Sequence, residues 1–111
     1  MAEYTVKQLV QNHEKAFIPA AAEGVNAVIQ YRLSGEEAGD YIITIQEGQC
    51  SVAEGIADHP TMTLTADGRD FGDVLLGKAN GMQYFMMGTL KLAGDLNLAM
   101  KLTSFFKMSG G

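Results

Sequence analysis

The chain has 111 residues, 47% hydrophobic and 19% charged, which is the size and balance of one globular domain, expected to span residues 1–111. Thirteen acidic against eight basic residues give a net charge of −5, which argues against a nucleic-acid partner and against electrostatic docking on anionic membranes. Cys50 is the single cysteine, so neither an internal disulfide nor a cysteine-rich metal cluster can form.

Thr5 and Gln8 make a capping box, and Val6, Leu9, Val10, Ala16 and Phe17 follow at helical spacing, with His13 inside the apolar arc. Ile18-Pro19 ends this helix, and Pro19 opens a short second one closed by Gly24. The period then becomes two. Val25, Ala27, Ile29, Tyr31 and Leu33 alternate with Asn26, Val28, Gln30 and Arg32, as in a strand with one buried face. Gln30 and Arg32 are expected on its solvated side. Residues 34–40 make a hairpin loop, 41–46 a second strand, Glu47-Gly48 a tight turn and 50–53 a third strand. Asp58-His59-Pro60 breaks the chain before a fourth strand over 61–66, and the central region reads as an antiparallel meander. Phe71, Val74 and Leu75 mark one helix face, stopped by Gly77, and Asn80 caps a short helix ended by Gly88. A fifth strand over 89–93 leads to Asp95, the cap of a last helix over 96–107. The predicted class is α+β: a five-stranded, mostly antiparallel sheet with about five helices packed on one face.

The tail is the richest part in large apolar side chains. Between Met82 and Met108 stand Tyr84, Phe85, Met86, Met87, Leu90, Leu92, Leu96, Leu98, Met100, Leu102, Phe105 and Phe106. Lys91, Asp95, Lys101 and Lys107 interrupt the run, so it is not a transmembrane span; it is an overfilled core or the wall of an apolar cavity. On a helical wheel the apolar positions after Leu96 cover roughly 220°, about twice what a sheet contact requires. One flank of such a helix needs a partner subunit, a mobile neighbour or a lipid.

Several stretches together resemble a family. Asp70 to Lys78 (DFGDVLLGK), Met87 to Asp95 (MGTLKLAGD) and Leu98 to Leu102 (LAMKL) resemble the sterol carrier protein 2 lipid-binding domain in its stand-alone form. Pro19 with Val25 to Tyr31 is similar to its first-strand segment, and Gly48 to Gly55 with Pro60 and Thr61 to Thr65 to its third and fourth strands. The resemblance implies an apolar tunnel between sheet and helices, closed by the C-terminal helix and holding a fatty acid, fatty acyl-CoA, sterol or isoprenoid-like lipid.

The residues expected to line it are Phe85, Met86, Leu98, Met100, Leu102, Phe105 and Phe106, with Tyr41, Ile43 and Ile45 as its floor. His13 and Arg32 are the candidates for a headgroup contact. For His13 a satisfied core position is the stronger reading, and for Arg32 a solvated one. Asp70 and Asp73 read as a helix N-terminal pair, His59 as a turn residue. Cys50 has no activating base in its neighbourhood of the sequence, and no Gly-x-Ser-x-Gly elbow, phosphate loop or metal-ligand helix occurs. No catalysis, metal or cofactor is therefore expected, and the expected function is binding, and transfer within the cell, of one lipid. The alternatives are a protein-interaction or dimerisation module, or an accessory factor presenting a lipid to an enzyme, with a second copy or an acceptor protein as partner. Residues 1–7 lack the apolar core of a signal peptide, and residues 108–111 match neither a peroxisomal address nor a prenylation box. The expected compartment is the cytoplasm, without membrane insertion.

Overall fold

The computed structural model describes residues 5–107. Met108, the rest of the C-terminal tail and the first four residues, with the readings made on them, lie outside the described residues. At the N-terminus the capping box forms as the sequence predicts: Gln8 N–H donates to Thr5 Oγ1 at 3.1 Å and Thr5 N–H to Gln8 Oε1 at 2.9 Å. The helix it starts is interrupted, giving α1 (Val6–Gln11) and α2 (His13–Ala16) in place of one continuous element. The cause is local. His13 Nδ1 donates to the Leu9 carbonyl at 3.0 Å, the acceptor that an unbroken helix reserves for the His13 amide.

The strands are β1 (Ala27–Ser34), β2 (Gly39–Gln46), β3 (Gln49–Glu54), β4 (Met62–Asp67) and β5 (Leu90–Gly94), in the spatial order β3-β2-β1-β4-β5. β1, β2 and β3 form the expected meander, tightened by positive φ at Glu47 and Gly48, the signature of a two-residue type I′ turn. β4 departs from it. It pairs in parallel with β1, with Tyr31 opposite Leu64, so the sheet is mixed; β5 then adds antiparallel to β4. A parallel neighbour requires a crossover, and residues 55–61 provide it across the outer face.

Gln30 holds that crossover. It is 2% exposed, against the expectation of a solvated residue. Its Nε2 donates to the Gly55 and Tyr41 carbonyls at 2.9 and 3.1 Å, and its Oε1 accepts from Ala57 N–H at 2.6 Å. Alternation alone cannot reveal a long-range cover of this kind. Thr61 finishes the crossing by exchanging bonds with Val28, backbone to backbone at 2.7 Å and through its hydroxyl at 2.9 Å.

The inner face carries Ala27, Ile29, Tyr31, Leu33, Tyr41, Ile43, Ile45, Met62, Leu64, Ala66 and Leu90, all buried and all in register across the sheet. α3 (Gly68–Leu75), α4 (Gly81–Met86) and α5 (Leu96–Lys101) join α1 and α2 in covering it. Between β5 and α5, Gly94 has φ +91°, and a Cβ there would lie 2.5 Å from the Thr61 carbonyl oxygen, so only glycine turns this corner.

The last helix is shorter than predicted. It stops at Lys101, a 3₁₀ turn follows over Leu102–Phe105, and Phe106 is extended. Ser104 Oγ takes the Lys101 carbonyl at 2.6 Å, and the backbone beyond bonds elsewhere: Ile18 N–H to Phe105 O at 2.7 Å and Lys107 N–H to Ala16 O at 2.8 Å. An antiparallel bridge between Phe17 and Phe106 therefore replaces the final helical turn.

Replacing Gln30 with Leu strands the Gly55 and Tyr41 carbonyls and the Ala57 amide beneath the crossover. A loss of about 2–3 kcal/mol is expected from buried groups left unpaired, read as a lower urea midpoint.

Candidate functional site

A pocket of about 570 Å³ opens beside α4 and α5, a size within the rough 300–1,000 Å³ range of small-molecule sites. Its floor is the β1-β4-β5 side of the sheet, through Tyr31, Leu64, Leu90 and Leu92. α3 supplies Phe71, Val74 and Leu75 along one wall. Phe85 of α4, Ala99 of α5, and Leu102 and Phe106 of the strap that follows make up the other. Met82, Leu96 and Met100 line the pocket yet are exposed, so they form its mouth. Among the described residues, no charged side chain lines it.

The buried polar groups of this wall are His13 and Tyr31. His13 is 1% exposed. A carbonyl can only accept, so Nδ1, bonded to Leu9 O, carries the ring proton; Nε2 then accepts from the Tyr31 hydroxyl at 3.0 Å. Burial keeps this imidazole neutral by pushing its pKa down from 6.5 to about 4, opposed only in part by the bond to Leu9. The Tyr31 phenol, wholly buried, is pushed well above its ordinary 10 by the same desolvation. Aromatic rings enclose the pair: Phe106 lies 4.5 Å from the His13 ring and Phe71 4.7 Å from Tyr31, centroid to centroid.

Of the residues singled out from the sequence, the pocket brings together Phe85, Met100, Leu102, Phe106 and His13. Leu98 and Phe105 face the other way and line a smaller concavity of about 220 Å³ with Val25, Ala27 and Lys101. Tyr41, Ile43 and Ile45 lie on the inner face but on β2, away from the pocket, packed into the core. Met86 projects from α4 and is 79% exposed. Arg32 alternates with buried Tyr31 and Leu33, which puts it on the outer face, where it pairs with Asp40 at 3.3 Å. The sheet separates it from the pocket.

Sequence reasoning missed Tyr31, Leu64, Leu90 and Leu92 as floor residues. Their signal was present as apolar alternation, but the floor depends on β4 pairing with β1, which alternation does not encode. The α3 wall is legible in the sequence as one helix face, through Phe71, Val74 and Leu75, though not as part of a pocket.

The Cys50 thiol, half-buried at the edge strand, is pushed up to about 11, first by desolvation and then by Glu14, so it stays protonated. Among the described residues no three His, Cys, Asp or Glu side chains cluster as metal ligands, and no helix is long and apolar enough to cross a membrane.

The charge distribution is uneven. Residues 78–107 hold four lysines and one aspartate, a net +3, while the remaining residues carry four bases and twelve acids, a net −8. The pocket mouth thus belongs to the basic third of an acidic chain.

Comparison with known proteins agrees with this architecture. Residues 6–107 match the SCP-2 sterol transfer family. Hydroxysteroid dehydrogenase-like protein 2 of Xenopus tropicalis is 32% identical over 83 residues, covering 74% of this chain but only 20% of that protein. The chain thus spans about a fifth of the length of this curated relative. Among solved structures, the sterol carrier protein domain 2 of Helicoverpa armigera is 29% identical, with a TM-score of 0.65 over 89% of this chain and 80% of that one. Palmitated SCP2L2 from Aedes aegypti is 20% identical, with a TM-score of 0.75 over 100% of this chain and 99% of that one.

The buried imidazole makes stability depend on pH. The folded pKa lies below the unfolded one, so the contribution is complete above pH 6.5 and is lost as pH falls toward 4. Urea midpoints should fall between pH 6.5 and 4.5, by up to roughly 3 kcal/mol in total from this group. His13→Gln should flatten that part of the profile.

Proposed function

The chain belongs to the SCP-2 sterol transfer family, and we propose that its pocket holds the tail of one hydrophobic lipid without acting on it chemically. The observation that carries this reading is the uncharged apolar wall of a 570 Å³ pocket whose mouth is ringed by exposed methionines and a leucine. Two of the relatives' names point the same way: one solved relative is palmitated, and another is a sterol carrier protein domain. A fatty acyl, sterol or isoprenoid-like tail fits such a site, and the family's description speaks of sterol transfer. On this reading Phe85, Met100, Leu102 and Phe106 are lipid-contacting residues, joined by Leu64, Phe71, Leu92 and Ala99.

The energetics support a guest. A sixteen-carbon chain gains roughly 12 kcal/mol on transfer from water, at about 0.8 kcal/mol per methylene. Association costs of about 4–15 kcal/mol remove much of that, leaving affinities around micromolar. The attraction has no direction, so tail selectivity is broad. Thioethers at the mouth add to this tolerance, because Met82 and Met100 can repack around different tails.

A second reading, presentation of the lipid to an acceptor, is favoured by one observation. Met82, Met86, Met87, Leu96 and Met100 are all exposed, on α4, its C-cap and α5 beside the mouth, within the basic third of the chain. The two readings are compatible, because delivery needs a filled pocket first.

Protein stripped of lipid should take up an apolar fluorescent dye with roughly micromolar affinity and melt about 10 °C higher when ligand stands at a hundredfold excess over Kd. Ala99→Trp fills the pocket from α5 and should weaken dye binding by roughly tenfold or more, with an unchanged circular dichroism spectrum. Absence of both dye uptake and co-purifying lipid in native mass spectrometry would refute the proposal.

A further inference from the structure

One short element stands between two cavities. In α5 and the 3₁₀ turn after it, Ala99, Met100 and Leu102 line the 570 Å³ pocket, whereas Asn97, Leu98 and Lys101 line the 220 Å³ concavity. The two volumes share no lining residue. Leu98 is the one buried residue of α5, and Leu102, also buried, follows it by four positions. Residues so spaced are neighbours on one helix face, yet Leu98 borders the second concavity and Leu102 the main pocket. Beneath α5 the boundary between the two volumes therefore runs at this pair of side chains.

We propose that Leu98 sets the length of tail this protein accepts, by stopping a tail in the main pocket from passing beneath α5 into the second concavity. The inference rests on the lipid-binding reading and goes beyond it by naming a specificity-determining residue and an annex to the site. A tail longer than the main pocket has two ways to go. Through the mouth it meets water beside the exposed Met82, Leu96 and Met100, and each methylene left in water forgoes roughly a fourfold gain in affinity. Beneath α5 it meets Leu98, which is packed into the core. Beyond Leu98 the concavity has buried apolar lining at Ala27 and Phe105 and exposed polar lining at Asn26, Asn97 and Lys101. Its apolar part suits further methylenes. A truncated leucine leaves a space that its surroundings close only in part, so a smaller residue at position 98 joins the two volumes. The cap of α5 is indifferent to that change, because Asp95 accepts from the Leu98 backbone amide, at 3.1 Å. Selectivity that is broad in chemistry thus has a limit in length.

The experiment is displacement of the apolar dye from the lipid-free full chain at pH 7.5 by dodecanoate, hexadecanoate and docosanoate. The unaltered protein is expected to bind hexadecanoate more tightly than dodecanoate, and docosanoate no more than about twofold more tightly than hexadecanoate. Leu98→Ala should extend the rise, with docosanoate bound roughly tenfold or more tightly than hexadecanoate. Adding Asn97→Trp to that variant fills the second concavity from an exposed position and should restore the flat upper part of the profile. Should Leu98→Ala fail to fold, as read by circular dichroism, Leu98→Val takes its place, with a gain for docosanoate of roughly threefold or more. A full rise to docosanoate in the unaltered protein, a flat profile in the folded variant, or a gain that Asn97→Trp leaves in place overturns the inference while lipid binding stands. If none of the three displaces the dye from the unaltered protein and none raises its melting temperature, the lipid-binding reading falls with it.

Discussion

A buried carboxamide under a loop decides where this protein keeps its pocket. The side chain of Gln30 ties residues 55–57 to the outer face of the sheet, with its oxygen and nitrogen both engaged. That tie carries the chain from β3 across β2 and β1, so that β4 enters parallel to β1 on the far side. β5 and the helices around it can then assemble only over the β1-β4-β5 half. Without the crossover, β4 would extend the meander beyond β3, and Tyr31 and Leu64 would not share a floor. The outer face is thus not a passive solvated surface; it sets the topology that the inner face uses.

The pocket exists because its cover is made of short pieces. α3, α4 and α5 span eight, six and six residues, each stopped by its own local device. Elements this short are marginal as isolated helices and are held by packing, and together they leave part of the sheet face uncovered. A dry void of 570 Å³, at roughly 24 cal/mol per Å³, would cost on the order of 14 kcal/mol, comparable with the whole stability of a domain. An opening to solvent relieves part of this cost, because water enters where the protein cannot pack. Apolar walls make water a poor occupant, and a lipid tail a better one.

How much of this the sequence disclosed depended on the range of the interaction. The capping box at Thr5, the Glu47-Gly48 turn and the face of α3 are contacts within a few residues, and each is legible from local pattern. The strand periods were equally plain, since Ala27, Ile29, Tyr31 and Leu33 bury the face they were expected to bury. What escaped were bonds between distant segments. Gln30 looked solvated because its partners lie 25 and 27 residues away. The last helix looked twelve residues long because its apolar positions keep helical spacing to Phe106, whereas the backbone of Phe105 and Lys107 is taken up by residues 16 to 18. The wide apolar arc was a true signal with a mistaken geometry. Its residues divide among a helix, a 3₁₀ turn and an extended strap, which send Leu98 and Phe105 to one side and Leu102 and Phe106 to the other.

That strap also joins two features that the sequence kept ninety residues apart. Phe106 is bridged to Phe17 through the backbone, and its ring lies against the His13 imidazole. At the helix interruption beside Asn12 the same imidazole bonds the Leu9 carbonyl. Hence the break in the first helix, the polar pair of the inner wall and the closure of the pocket by the C-terminal strap are one connected structure. Displacing the strap uncovers His13 and removes an aromatic wall that keeps water from the Tyr31–His13 bond. Exposure to water would raise the basicity of the imidazole and weaken the commitment of the Tyr31 proton. The neutral state of the His13 imidazole is therefore a property of the closed pocket, set by the packing of Phe106 as much as by its own place on the first helical segments.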